Sequence, residues 1–201
     1  MSLHFTKAHI EFASLGWLAM NVGKRPDDPI DGVIRVENID GILHLILTDR
    51  YRMAILKYER DCPLEEGYYK IAKKSYTELL LNKIEQACYP NWQCVLPDIS
   101  KCKQIFKPDG SFTFFDRKND NDMPIDICYL LGEKIRLNYT YLESIGKFFE
   151  TGWEVYDYKD VVFMQAEPDQ KFDEKKNPLP PKFYKYSLLL MKMKLREKEA
   201  D

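Results

Sequence analysis

Apolar and polar positions alternate with period two along much of the chain, and the alternation predicts more strands than helices. The clearest stretch is Gly41–Lys57. Leu43, Leu45 and Leu47 alternate there with His44, Ile46 and Thr48, the pattern of a strand with one buried face. The polar residues Thr48-Asp49-Arg50-Tyr51-Arg52 interrupt the apolar run, and Met53–Lys57 reads as a returning strand. Just upstream, Val33–Ile39 meets Ile42–Leu47 through Asp40-Gly41. Such a pair signals a two-residue hairpin, because both central positions of a type I′ turn need positive φ.

Three stretches carry helical spacing. Thr6 is placed to cap a helix with apolar positions at Ile10, Phe12, Leu15, Leu18, Ala19 and Val22, ended by Gly23–Pro29. Ser75-Tyr76-Thr77-Glu78 and Thr140-Tyr141-Leu142-Glu143 share the hydroxyl-x-x-carboxylate spacing of a capping box. The first predicts a helix through Leu79, Leu80, Leu81 and Ile84. The second predicts a helix carrying Leu142, Ile145, Phe148 and Phe149, stopped by Gly152.

The remaining segments read as a strand at Tyr68–Ala72, a short helix at Ser100–Phe106, and strands at Ser111–Phe115, Ile125–Leu131 and Lys134–Asn138. Trp153–Tyr158 and Val161–Ala166 form a hairpin across Lys159-Asp160, and Tyr184–Leu195 is the last strand. Glu167–Pro181, charged and with four prolines, is a loop. The expected fold is α+β, with helices packed on one face of antiparallel sheets built from about ten strands.

Composition narrows the chemistry. With 201 residues, 45% of them hydrophobic and 13% aromatic, the chain can bury a core. It has no apolar run of about 18 residues and no secretory leader pattern, so a cytoplasmic protein without a membrane span is expected. Five cysteines without C-x-x-C spacing read as reduced thiols, and His4, His9 and His44 lack ligand-like spacing, so no metal or other cofactor is expected. The loop Asp116–Asp122 lacks the glycine and closing glutamate of a calcium loop. No P-loop, dinucleotide fingerprint, nucleophile elbow or metalloprotease motif is present, and no catalytic residue is assigned. A formal charge of -2 does not describe a dedicated DNA binder, but it is compatible with a locally positive surface.

Three stretches together resemble one family. Thr48-Asp49-x-x-Arg52-Met53 resembles the Thr-Asp-Gly-His-Arg-Leu corner in the middle domain of the bacterial DNA polymerase III beta sliding clamp, with Arg50 and Tyr51 in place of Gly and His. Tyr89-Pro90-Asn91-Trp92-Gln93-Cys94-Val95-Leu96-Pro97 resembles the Phe-Pro-x-Tyr-Arg-Arg-Val-Leu-Pro segment that ends that domain, with Gln93 and Cys94 replacing its basic pair. Leu189-Leu190-Met191-Lys192-Met193-Lys194-Leu195 resembles the terminal Val-Met-Pro-Met-Arg-Leu strand, with Lys192 replacing proline. Residues 1–97 thus resemble the middle clamp domain and residues 98–201 the last, both shortened. The family's first domain has no counterpart.

The resemblance implies a peptide-binding groove of Thr48, Arg52, Met53, Pro90, Val95, Leu189, Met191 and Met193, with Arg52 at the rim to fix a peptide carbonyl or carboxylate. Methionine suits such a groove because it repacks around different ligands; the same methionines would equally serve an ordinary core. The family also implies sequence-independent DNA contact through basic helices, which assigns Lys73, Lys74, Lys83 and Lys147 to phosphates. The implied partners are DNA, replication proteins carrying short clamp-binding peptides, and further copies of the chain in an oligomer. The implied activity is tethering without a chemical step. Two alternatives stand beside the ring: a clamp-derived module that binds a partner without encircling DNA, and an unrelated α+β enzyme.

Overall fold

The computed structural model describes residues 1–9, 11–20, 28–58, 62–106, 115–118, 127–130, 135–138, 141, 154–166 and 183–192. The chain enters as a strand, β1 (Ser2–Thr6), and continues into one helix, α1 (Phe12–Met20). A meander follows: β2 (Val33–Ile39), β3 (Ile42–Thr48) and β4 (Arg52–Tyr58). The hairpin β5 (Gly67–Lys74) and β6 (Glu78–Ile84) is next. Two short 3-10 turns, Trp92–Val95 and Ile99–Lys101, lead to β7 (Lys103–Phe106). The later strands are β8 (Phe115–Lys118), β9 (Ile127–Leu130), β10 (Arg136–Asn138), β11 (Glu154–Tyr158), β12 (Val161–Ala166) and β13 (Phe183–Met191).

Ten strands form one antiparallel sheet in the order β1-β6-β5-β2-β3-β4-β13-β12-β11-β7, and β10-β9-β8 form a second. Strands from the first 97 residues occupy one side of the large sheet and strands from the rest the other. They meet where β4 pairs with β13, with Leu189 opposite Met53 and Leu190 opposite Arg52. Alternation along the strands sorts side chains onto two faces. One face packs Leu45, Leu47, Ala54, Leu56, Leu188, Leu190, Val162 and Met164 against Leu15, Trp17, Leu18 and Ala19 of α1. The Trp17 and Tyr186 rings meet edge to face at 5.1 Å.

Both predicted hairpins are present: Asp40 and Gly41 have the φ of 53° and 84° that a type I′ turn needs at both positions, while across Lys159-Asp160 only Lys159 has positive φ, at 48°. Four expectations are corrected. The segment expected as the second helix is β6, pairing with β5 on one side and β1 on the other. The Ser75 hydroxyl accepts from the amides of Thr77 (3.2 Å) and Glu78 (3.1 Å), as a capping serine would, but it closes a hairpin. Thr6 does not cap α1: it ends β1, a strand that sequence reading missed, and its own amide donates to His9 Nδ1 at 2.9 Å. The expected short helix at Ser100–Phe106 is one 3-10 turn followed by β7. Finally, β3 is buried on both faces, because Ile46 on the side expected to face solvent is covered. Of the third expected helix only Tyr141 lies within the described residues.

Candidate functional site

The face opposite α1 carries the candidate groove. Pairing places Thr48 opposite Met53, Met53 opposite Leu189, Leu189 opposite Phe163, and Met191 opposite Val161. Directly opposed residues share a face, so Thr48, Met53, Leu189 and Met191 lie together although up to 143 positions separate them, from Thr48 to Met191. Met53, Leu189 and Phe163 belong to one buried cluster with Ile46, Ile55, Trp92 and Tyr156. Val161, Leu96, Tyr89 and Cys102 pack against it from the edges. Met53 and Leu189 are only 4% and 6% exposed, whereas Met191 and Val95 are 42% and 54% exposed. The result is a buried apolar floor with apolar side chains left open at its margin. Pro90 is also exposed, on the segment that crosses this face, and Met193 lies outside the described residues.

Arg52 is not at the rim. As the neighbour of Met53 on a strand it points to the opposite face, where its pairing partner is Leu190. There its Nε donates to Asp49 Oδ2 at 2.9 Å, and its guanidinium carbon lies 4.6 Å from the centre of the Tyr141 ring. Asp49 Oδ1 in turn accepts from the amides of Tyr51 (3.1 Å) and Arg52 (3.0 Å). Thr48 Oγ1 donates to the Arg52 carbonyl at 2.8 Å. The corner between β3 and β4 thus holds Thr48, Asp49 and Arg52 buried in one set of hydrogen bonds, with Arg50 and Tyr51 exposed, and the Tyr51 carbonyl accepts from the Met191 amide of β13 at 2.8 Å. Arg50 within it has φ of 72°, a left-handed conformation that favours glycine, and its Nε reaches Asp28 Oδ2 at 2.8 Å.

The lysines assigned to DNA are distributed differently from expectation. Lys73, Lys74 and Lys83 stand on β5 and β6, not on a helix, and Lys147 lies outside the described residues. Lys74 Nζ donates to the Ala19 carbonyl at 2.9 Å, closing the C-terminal turn of α1, and burial lowers its pKa. Lys73 pairs with Glu78, whose carboxyl is held below its ordinary pKa by that bond and then by His4. Lys83 Nζ donates to Glu65 at 2.8 Å, which raises the lysine's pKa. α1 itself, FASLGWLAM, carries no charged residue.

Sequence reasoning missed the role of Trp92. Its indole Nε1 donates to Glu37 Oε2 at 2.8 Å, and its ring lies 5.6 Å from that of His44. The His44 pKa is lowered, chiefly by burial. The signal was available: Trp92 is the one large aromatic in a run of turn-forming residues after Tyr89-Pro90.

A sheet of this topology, sealed at β4–β13 and covered by a helix on one face, is a DNA-clamp-like fold. The comparison with solved structures bears this out at low identity. The chain is similar to the beta clamp of Helicobacter pylori solved with carprofen, with a TM-score of 0.53 and 12% identity over 96% of this chain and 67% of that one. It is similar to DNA polymerase III subunit beta from Borrelia burgdorferi, with a TM-score of 0.53 and 14% identity over 98% and 65%. The DNA polymerase sliding clamp from Bacillus subtilis gives 0.52 and 11% over 98% and 65%. The chain thus spans about two thirds of the length of these clamps. No protein-family profile and no curated protein sequence matches it. Among the described residues no helix is long and apolar enough to cross a membrane.

Proposed function

We propose that this protein is a non-catalytic, clamp-like tether that binds short peptides of replication proteins along the β4–β13 face. The observation that carries this reading is the convergence, through strand register, of Thr48, Met53, Leu189 and Met191 on one apolar face with Met191 exposed at its margin. An open apolar margin beside a buried floor suits an extended peptide with apolar anchors. Pro90, Val95 and Met193 complete the proposed groove. Arg52 contributes indirectly, by holding the corner that presents Met53.

Two clamp-type domains, 1–97 and 98–201, meeting at the β4–β13 seam complete this reading. A second reading, in which the chain also contacts or encircles DNA as an oligomer, draws on the fold it shares with these clamps. The strand positions of Lys73, Lys74 and Lys83, the carboxylate partners of Lys73 and Lys83 and the Ala19 carbonyl that holds Lys74 favour the peptide-binding module over the ring.

Light scattering across a concentration series, with and without a labelled clamp-binding peptide, tests both readings. A closed oligomer that takes up peptide supports a tethering ring, and a monomer that takes up peptide supports the module. A monomer that ignores the peptide would sink both.

A further inference from the structure

The segment from residue 87 to residue 102 crosses the groove face without joining its ladder. Among the described residues, its main-chain hydrogen bonds all close within the segment: Tyr89 to Ala87, Leu96 to Gln93, Lys101 to Asp98 and Cys102 to Ile99. Side chains alone tie it to the sheet. The Tyr89 hydroxyl donates to the Ile46 carbonyl at 2.9 Å, and Trp92 Nε1 donates to Glu37 at 2.8 Å. Tyr89, Trp92, Leu96 and Cys102 add apolar packing. Between these anchors Pro90, Asn91, Gln93, Cys94 and Val95 are exposed. A strand inside the sheet cannot leave without breaking a continuous ladder, whereas this strap leaves by releasing two side-chain bonds and the apolar packing of Trp92, Tyr89 and Leu96, with no ladder to break.

We propose that residues 89–96 are a displaceable strap that lifts from the sheet as a unit and controls how much of the groove a ligand can reach. This rests on the peptide-groove reading. With the strap down, a ligand meets the margin at Met191 and Val95. With it raised, the apolar floor extends to Ile46 and Ile55, which the Trp92 cluster now seals. The present occupant defines what would replace it: a planar aromatic side chain with an N–H or O–H donor at its edge, aimed at the Glu37 carboxylate. A peptide with a tryptophan or tyrosine anchor fits that description. Its apparent affinity is reduced by the small fraction of molecules with the strap raised.

Trp92→Phe keeps an aromatic ring in the cluster and removes the bond to Glu37; Glu37→Gln weakens the same bond without touching the floor. Both variants and the wild type are followed by hydrogen exchange read by mass spectrometry, and by titration with a labelled peptide carrying a tryptophan anchor. Residues 89–96 are expected to exchange faster than β3 and β4 in the wild type and faster still in both variants. Peptide affinity is expected to rise about three- to tenfold in Trp92→Phe, following the larger open fraction. Exchange of the strap only together with β3 and β4 overturns the proposal, whatever the peptide does. Local opening with affinity unchanged in both variants also overturns it, because the ligand would then bind without the strap moving. Local opening with no binding to any of the three proteins overturns the groove reading itself and the strap's control of it.

Discussion

The two faces of the ten-stranded sheet are buried by different means. On one, α1 and the strands around it close over Leu15, Trp17, Leu18, Tyr58 and Tyr186, all under 2% exposed, and among the described residues of the helix none is an exposed apolar side chain. On the other, an irregular strap covers a smaller cluster, and Met191 and Val95 remain open beside it. A face sealed by a helix holds the domain together; a face sealed by a strap and left apolar at the edge can offer part of its surface to a partner. Substitutions should therefore separate into those that act on stability and those that act on binding.

The largest effect belongs to the helix face. Trp17→Ala is expected to lower stability by about 3–5 kcal/mol, since it empties a fully buried site against Tyr186, as read from urea unfolding. Next is Arg52→Leu, which leaves Asp49 charged and buried without its partner. A loss of about 3 kcal/mol is expected, and a loss under about 1 kcal/mol would show that the corner does not depend on the pair.

Arg50 tests the backbone of the same corner. Arg50→Val should destabilise by about 2 kcal/mol because a β-branched residue resists the left-handed region. Arg50→Gly should stay within about 1 kcal/mol of the wild type, as relief of strain offsets the lost Asp28 pair and the freer unfolded chain. Equal losses in the two variants would mean that φ at this position carries no penalty.

The strap face should respond to pH. His44 is opposed by Glu37 on β2 and Lys57 on β4 and stacks near Trp92. Burial depresses its folded-state pKa, so the unfolded chain takes up the proton first as pH falls. This contribution to stability is complete above the ordinary histidine value of about 6.5. It is lost as pH falls through the depressed folded value. His44→Gln should flatten that part of the pH profile; an unchanged slope in urea unfolding between neutral and mildly acidic buffer would remove His44 as its source.

Much of the fold was legible where turn chemistry is local. Asp40-Gly41 fixed one hairpin because few residue pairs accept positive φ at two successive positions, whereas the hairpin across Lys159-Asp160 was legible from its flanking apolar strands. β6 was not legible as a strand, since a serine hydroxyl two and three residues ahead of free amides serves a helix start and a hairpin equally. β1 is an edge strand of five residues whose Leu3 and Phe5 acquire meaning only opposite Leu81 and Leu79 of β6. Part of the arrangement behind the proposed groove was legible: Leu189 and Met191 stand two apart and must share a face, as the register has them. The same rule puts adjacent Arg52 and Met53 on opposite faces, so the expectation of Arg52 at the rim overlooked a signal the sequence carried. The sealing of Ile46 by Trp92 was not legible, because it joins segments whose register only the folded sheet defines.

Titration of a labelled clamp-binding peptide into the wild type and Met191→Ala, with urea unfolding of both, tests the central claim most directly. The groove predicts saturable binding that weakens about tenfold in Met191→Ala while stability stays within about 0.5 kcal/mol, because the side chain is half exposed in the free protein. Equal affinity in the two proteins, or no saturable binding to the wild type, would contradict it.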